Sequence, residues 1–194
     1  MKKKFLDPNI KNKSKTVEEK IQLYKYRNIQ FPLPTEIEIS ESGVCNRKCS
    51  FCPRSDPSFV EKKEFIKDDL HRKLCKELKD LNYKGTIRYS GFVEPLLDKN
   101  IFNLIEMARH YVPSSNLELV TNGDVLNKKR LQELFKKGLN KILISAYDDK
   151  KTADKLEKLC LDSNLTKEEF IVRHRYLSEE NDFGITLSNR SGLM

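Results

Sequence analysis

The chain has 194 residues, 37 Lys plus Arg against 29 Asp plus Glu, a net charge of +8, five cysteines and no tryptophan. Such a length suits a single domain that buries enough surface to fold without disulfide staples. No run approaches the roughly 18 apolar residues of a membrane span, no apolar stretch follows the charged N-terminus as a secretory signal requires, and five cysteines are too few and too odd for a secreted disulfide framework. A reduced, cytoplasmic setting is the expectation.

The positive charge is unevenly spread. Residues 1–30 hold nine basic side chains against Asp7, Glu18 and Glu19, which accounts for six of the eight net charges. Residues 1–34 therefore read as a basic leader, and residues 35–194 as a nearly neutral globular core. The leader carries no nucleic-acid motif and no Arg–aromatic pattern, so it reads as a solvated tail and neither nucleic acid nor membrane is expected as a partner.

After Phe31-Pro32-Leu33-Pro34 the pattern alternates between two periods. Glu36-Ile37-Glu38-Ile39 reads as a strand. Leu70, Leu74, Leu78 and Leu81 recur at helical spacing, with Asp68 as a candidate N-cap. Thr86 to Tyr89 is a second strand, and a helix over about Asp98–Val112 follows. Leu117 to Val120 is a third strand. Asn127 can cap the next helix, which Gly138 can end. Lys141 to Ala146 is a fourth strand, a helix over about Asp149–Leu161 comes next, and Phe170 to Tyr176 is a fifth. Phe183 to Leu187 is a candidate sixth. Strands alternating with helices argue for an α/β fold, a partial parallel (βα) barrel of five to six strands.

The loop after the first strand reads Ser-Gly-Val-Cys-Asn-Arg-Lys-Cys-Ser-Phe-Cys-Pro-Arg. Cys45, Cys49 and Cys52 thus stand at C-x3-C-x2-C, a soft-metal site. Structural zinc wants a fourth ligand, and the nearest candidate, His71, falls within a helix. Three thiolates suit an iron–sulfur cluster with one iron left open, while zinc or a purely structural cluster stays as the alternative. Cys75 and Cys160 lie on apolar helix faces and read as core residues.

This cysteine loop, with Phe51 before its third cysteine and its place after the first strand of a βα series, resembles the signature of the radical S-adenosylmethionine (radical SAM) superfamily. The resemblance implies that Cys45, Cys49 and Cys52 ligate a 4Fe–4S cluster whose fourth iron chelates S-adenosylmethionine. It also implies reductive cleavage to a 5′-deoxyadenosyl radical, with hydrogen abstraction from a substrate and an electron donor such as flavodoxin or ferredoxin. Active sites of such barrels lie at the C-terminal ends of the strands. Gly91-Phe92-Val93-Glu94-Pro95 resembles the family's Gly-Gly-Glu-Pro stretch, with Val93 where Gly is usual, which implies that Gly91 and Glu94 hold the methionyl amino group. Thr121-Asn122-Gly123 resembles its Thr-Asn-Gly turn, although Asn-Gly is also simply a good turn. Phe51 joins these as a cofactor contact. Ser145, polar at the end of an apolar strand, is placed to bond the ribose. Arg173, on one strand face with Arg175, is placed to pair with the methionyl carboxylate. His174 reads as a packed residue rather than a base, and no catalytic residue is assigned.

Leu187-Ser188-Asn189-Arg190-Ser191-Gly192 resembles the Asn-Arg-x-Gly element of family members that carry a Cys-rich SPASM or twitch extension for auxiliary clusters. No cysteine follows Cys160. The expectation is a minimal core, a fragment truncated at its C-terminus, or one half of a split enzyme with a separate auxiliary-cluster chain. Such relatives act on peptides, sugars or aminocyclitols. The rival expectation is a non-catalytic iron–sulfur or zinc module for binding or electron transfer.

Overall fold

The computed structural model describes residues 21–26 and 28–176. Most of the basic leader, the candidate sixth strand and the Asn-Arg-x-Gly element lie outside the described residues. Among the described residues seven strands form two sheets. β1 (Gln22–Tyr26) and β2 (Ile29–Leu33) make an antiparallel hairpin that the sequence reading did not foresee within residues 1–34. β3 (Glu36–Ile39), β4 (Thr86–Tyr89), β5 (Asn116–Thr121), β6 (Lys141–Ala146) and β7 (Phe170–His174) form a parallel sheet in sequential order. These are the five strands predicted from periodicity. Parallel neighbours require a crossover of a dozen or more residues, and helices supply most of each one. They are α1 (Asp68–Asp80), α2 (Ile101–Tyr111), α3 (Lys128–Lys136) and α4 (Lys150–Asp162).

Alternation along each strand sorts the sheet into two faces. Ile37, Ile39, Ile87, Tyr89, Leu117, Leu119, Ile142, Ile144, Phe170 and Val172 pack with the helices in one continuous core. The helices contribute Cys75 and Leu78, Ile101, Leu104, Ile105 and Ala108, Leu131 and Leu134, and Ala153, Leu156 and Cys160. The opposite face bears Glu36, Arg88, Glu118, Val120, Leu143, Ser145, Ile171 and Arg173. Arg88 bridges Glu36 and Glu118 on it, with Nη2 2.7 Å from Glu118 Oε2. A sheet with helices on one face and charge on the other is the inside and outside of a barrel wall, here a partial one.

Local signals set the element ends. Asn127 caps α3 by accepting from Arg130 N at 2.9 Å, and Asp149 caps α4 by accepting from Thr152 N at 2.6 Å. Gly138, at φ +106°, follows α3 in the left-handed region where a Cβ would strain the turn. The expectation for Asp68 changes. Lys67 occupies the N-cap, and Asp68 opens the helix, where a carboxylate suits the positive end of the dipole while also accepting from Asn100 Nδ2 at 2.6 Å. The buried stripe of α1 is His71, Cys75 and Leu78, with Leu74 beside it, whereas Leu70 is 59% exposed. The helix expected from about Asp98 begins at Ile101, because Pro95–Leu97 forms a 3-10 turn before it.

His71 is fully buried because its polar atoms are satisfied. Tyr89 Oη donates to Leu104 O at 3.2 Å, so His71 Nε2 donates to Tyr89 Oη at 3.0 Å. That leaves Nδ1 to accept from the Cys75 thiol at 3.6 Å. Burial holds the imidazole neutral by lowering its pKa to about 4, and pushes the Cys75 thiol up to about 11. Ile144 sits fully buried in β6 at the centre of the core. Ile144→Ala is expected to cost about 2–5 kcal/mol, read as a lowered urea midpoint with an unchanged slope.

Candidate active site

The loop that leaves β3 is closed at its base by a short antiparallel contact. Gly43 N donates to Glu64 O at 2.9 Å and Ile66 N to Glu41 O at 2.7 Å. The cysteines lie between these two anchors. Cys52 N donates to Cys49 O at 2.9 Å, a 3-10 turn over Pro53–Ser55 follows, and Ser55 N closes on Cys52 O. Arg54, only 4% exposed, braces the loop from inside by donating to Gly43 O, Phe92 O and Glu61 Oε1. Arg47 N points at Cys45 Sγ, 3.5 Å away.

All three cysteine side chains are half-buried. Burial raises the Cys45 and Cys49 thiols above their ordinary pKa, and the neighbouring thiols add to the rise, since like charges this close resist ionising together. Among the described residues no three His, Cys, Asp or Glu side chains converge on a point that would hold one metal ion. Three soft thiol donors on one short loop fit the donor set of an iron–sulfur cluster. His71, the nearest zinc candidate beyond the loop, is committed to the core. Cys75 and Cys160 are buried as expected, at 1% and 0% exposure.

The other sequence-identified positions gather at the same end of the sheet. Gly91 follows β4 at φ +137°, and a Cβ there would stand 2.1 Å from Ser40 Oγ. Glu94, 1% exposed, accepts from Thr121 Oγ1 at 2.6 Å, Asn122 N at 2.7 Å and Leu96 N at 3.1 Å. Its own N–H donates to Val44 O, one residue before Cys45. Burial raises the Glu94 pKa while the three donors pull it down. Asn122 does more than turn the chain, for its Nδ2 donates to Asn46 Oδ1 at 2.7 Å inside the cysteine loop. Phe51 is exposed and lies against Tyr147, ring centroids 5.3 Å apart. Ser145 and Arg173 are register partners on the open face at the ends of β6 and β7. Arg173 is half-buried, which lowers its pKa together with the nearby Arg175 and Arg88. His174 bonds Tyr176 Oη at 2.8 Å, a packing role as expected.

Some residues of this rim carried no sequence signal. Asn46, Arg47, Arg54, Asp124 and Asp148 are ordinary polar residues in loops, and only their nearness to predicted strand ends marks them. Glu41 is another. It is 1% exposed, accepts from Ser42 Oγ at 3.1 Å, and its Oε2 is buried with no hydrogen bond among the described residues. Burial, with Asp98 and Glu94 nearby, pushes its pKa up to about 7.

A family profile described as the radical SAM superfamily matches residues 39–181. The chain belongs to this superfamily. Its members are enzymes whose cofactors are a 4Fe–4S cluster and S-adenosylmethionine. A curated relative, the S-adenosyl-L-methionine-dependent 2-deoxy-scyllo-inosamine dehydrogenase of Niallia circulans, is 33% identical over 137 residues, covering 65% of this chain and 54% of the relative. The GTP 3′,8-cyclase of Staphylococcus epidermidis is 31% identical over 115 residues, 57% of this chain and 33% of that one. The crystal structure of BtrN in complex with AdoMet and 2-DOIA superposes with a TM-score of 0.66 at 30% identity, covering 83% of this chain and 62% of BtrN. A structure of anSMEcpe with bound AdoMet shares the fold at a TM-score of 0.56 and 18% identity, over 71% of this chain and 42% of that one. The radical SAM core thus spans about half the length of the curated relative with the higher identity. Among the described residues no helix is long and apolar enough to cross a membrane.

The buried Glu41 yields a test of stability. Its folded pKa is raised from 4.5 to about 7, so the folded state holds a proton that the unfolded state releases. That contribution is complete below pH 4.5, falls as pH rises, and is gone above about pH 7. Glu41→Gln keeps an uncharged donor there at every pH. In urea titrations the variant should gain on the wild type by up to about 3 kcal/mol between pH 4.5 and pH 8.

Proposed function

We propose that this chain is the core of a radical SAM enzyme that cleaves S-adenosylmethionine reductively and starts a radical reaction on its substrate. The observation that carries this reading is the C-x3-C-x2-C loop, which leaves β3 at the rim where Glu94, Thr121 and Asn122 are already interlocked. In this reading Cys45, Cys49 and Cys52 would hold the 4Fe–4S cluster, which would bind S-adenosylmethionine and supply the electron for its reductive cleavage to methionine and a 5′-deoxyadenosyl radical.

The chain's own residues bind and orient. Glu94 uses three acceptor positions on Thr121, Asn122 and Leu96, and a carboxylate has about four; the remaining one takes an N–H of the methionyl amino group. The backbone at Gly91 lies close enough to Ser40 that only a hydrogen fits, which keeps this strand end open to the same group. Arg173 offers its guanidinium to the methionyl carboxylate. Ser145, beside it in register, bonds the ribose, and Phe51 gives an apolar surface to the adenine. Thr121 and Asn122 hold Glu94 in place rather than touching cofactor themselves. Family members need a reductant and a substrate. For this chain the electron comes from a flavodoxin or ferredoxin. Among peptides, sugars and aminocyclitols, the relative named for 2-deoxy-scyllo-inosamine favours an aminocyclitol.

The test is anaerobic reconstitution with iron and sulfide, then S-adenosylmethionine and dithionite. Formation of 5′-deoxyadenosine is expected. A 4Fe–4S spectrum without that product overturns the catalytic reading, and zinc without iron uptake overturns the cluster. Changing Cys45, Cys49 or Cys52 to Ala should abolish iron uptake. Changing Cys75 or Cys160 to Ala should leave iron content unchanged and lower only the melting temperature.

A further inference from the structure

Arg47 stands between the first two cysteines, yet its side chain reaches away from the loop to two other strand ends. Its Nε and Nη2 lie 2.7 Å and 2.5 Å from the carboxylate oxygens of Asp124, after β5, and its Nη1 and Nη2 lie 2.7 Å and 2.8 Å from those of Asp148, after β6. Two carboxylates thus share one planar guanidinium, each held by two hydrogen bonds. The same group lies 5.7 Å from the Tyr147 ring centroid. Asp124 also accepts from Asn46 Nδ2 at 2.7 Å, and Asn46 in turn bonds Asn122. The aspartates raise the Arg47 pKa further, and Arg47 lowers that of Asp148.

We propose that Arg47 is a positioning residue, a clamp that fixes the cysteine loop against the ends of β5 and β6 before any metal arrives. The inference rests on the proposed cluster site and adds how the chain prepares it. Three thiols must be brought together on one short loop, and ordering that loop costs conformational entropy. A free loop samples many arrangements of its three side chains. Arg47 restricts them from the centre of the first spacer, because a planar fork held at both ends restrains the backbone that carries it. The Arg47 amide that points at Cys45 Sγ is held by the same restraint. An ammonium could not replace the guanidinium, since a point charge cannot grip two carboxylates bidentately. Exposed ion pairs of ordinary geometry contribute little, but shared bidentate pairs with restrained partners are the exception.

Lys48 provides a built-in reporter, for it is exposed and adjoins Arg47. The metal-free full chain is treated with a lysine-specific protease, and cleavage of the Lys48–Cys49 bond is followed by mass spectrometry. Arg47→Met and the double variant Asp124→Asn, Asp148→Asn should each be cut at least about fivefold faster than wild type, as local opening governs the rate. Salt at 1 M should narrow the difference. Thermal melts of each protein separate local from global opening, and if Arg47→Met melts early the single variant Asp148→Asn supplies the comparison. Cleavage at the wild-type rate in folded variants overturns the clamp. In reconstituted protein, the variants should lose the visible absorption of the cluster in air several times faster than wild type, and equal lifetimes count against the proposal. If the wild type takes up no iron, the cluster reading fails while the protease comparison still decides the clamp.

Discussion

The Glu94 carboxylate leaves water at the point where three chain segments meet, and the upper rim of the protein depends on how its charge is accommodated. Burying an isolated carboxylate costs far more than one contact can return. Here three donors come from two directions, the Leu96 amide from its own turn and the Thr121 hydroxyl and Asn122 amide from the end of β5. The backbone N–H of Glu94 meanwhile holds Val44, next to the first cysteine. One residue therefore ties β4, β5 and the cysteine loop together. Losing any of its donors leaves a charge in low dielectric, so these three segments hold their relative positions as a unit.

Below this rim the sheet divides its labour by face. Helices cover one face with Leu, Ile and Phe, and that core supplies most of the stability. The other face is free to carry polar groups because no helix among the described residues packs there. This freedom explains how charged side chains alternate with apolar ones along short strands such as Glu-Ile-Glu-Ile of β3. It also separates two kinds of buried polar group. His71, Tyr89 and Cys75 satisfy one another inside the core, whereas Glu94, Thr121 and Asn122 satisfy one another at the working end.

Much of this was legible in the sequence because it rests on local patterns. The five parallel strands follow from short alternating or apolar runs set between helical periods, and Asn127 and Gly138 mark helix ends by side-chain chemistry. The cysteine spacing marks the site, and a likeness of short motifs after β4 and β5 brought Gly91, Glu94, Thr121 and Asn122 to the same rim. Other features are set by contacts distant in sequence. Leu70 fits the helical spacing as well as Leu74, but the core lies on the side of His71 and Cys75. The hairpin of β1 and β2 sits in a lysine-rich segment where composition suggested a tail, and its Gln22 is tied to Asn82 and Lys84 some 60 residues away. Arg47 pairs with residues 77 and 101 positions further on, and no spacing rule connects them.

The open face also has a direction. Ser145 and Arg173 stand at its top, Val120, Leu143 and Ile171 share register across its middle, and the Glu36–Arg88–Glu118 triad closes the bottom, roughly 13 Å below at the rise of a β-strand. Hydrogen-bonding groups thus give way to hydrocarbon, and hydrocarbon to charges that are already paired with one another. The wall works as a gradient of chemical demand. Groups with hydrogen-bonding capacity to spare stand at the mouth, and those at the bottom are already engaged with each other.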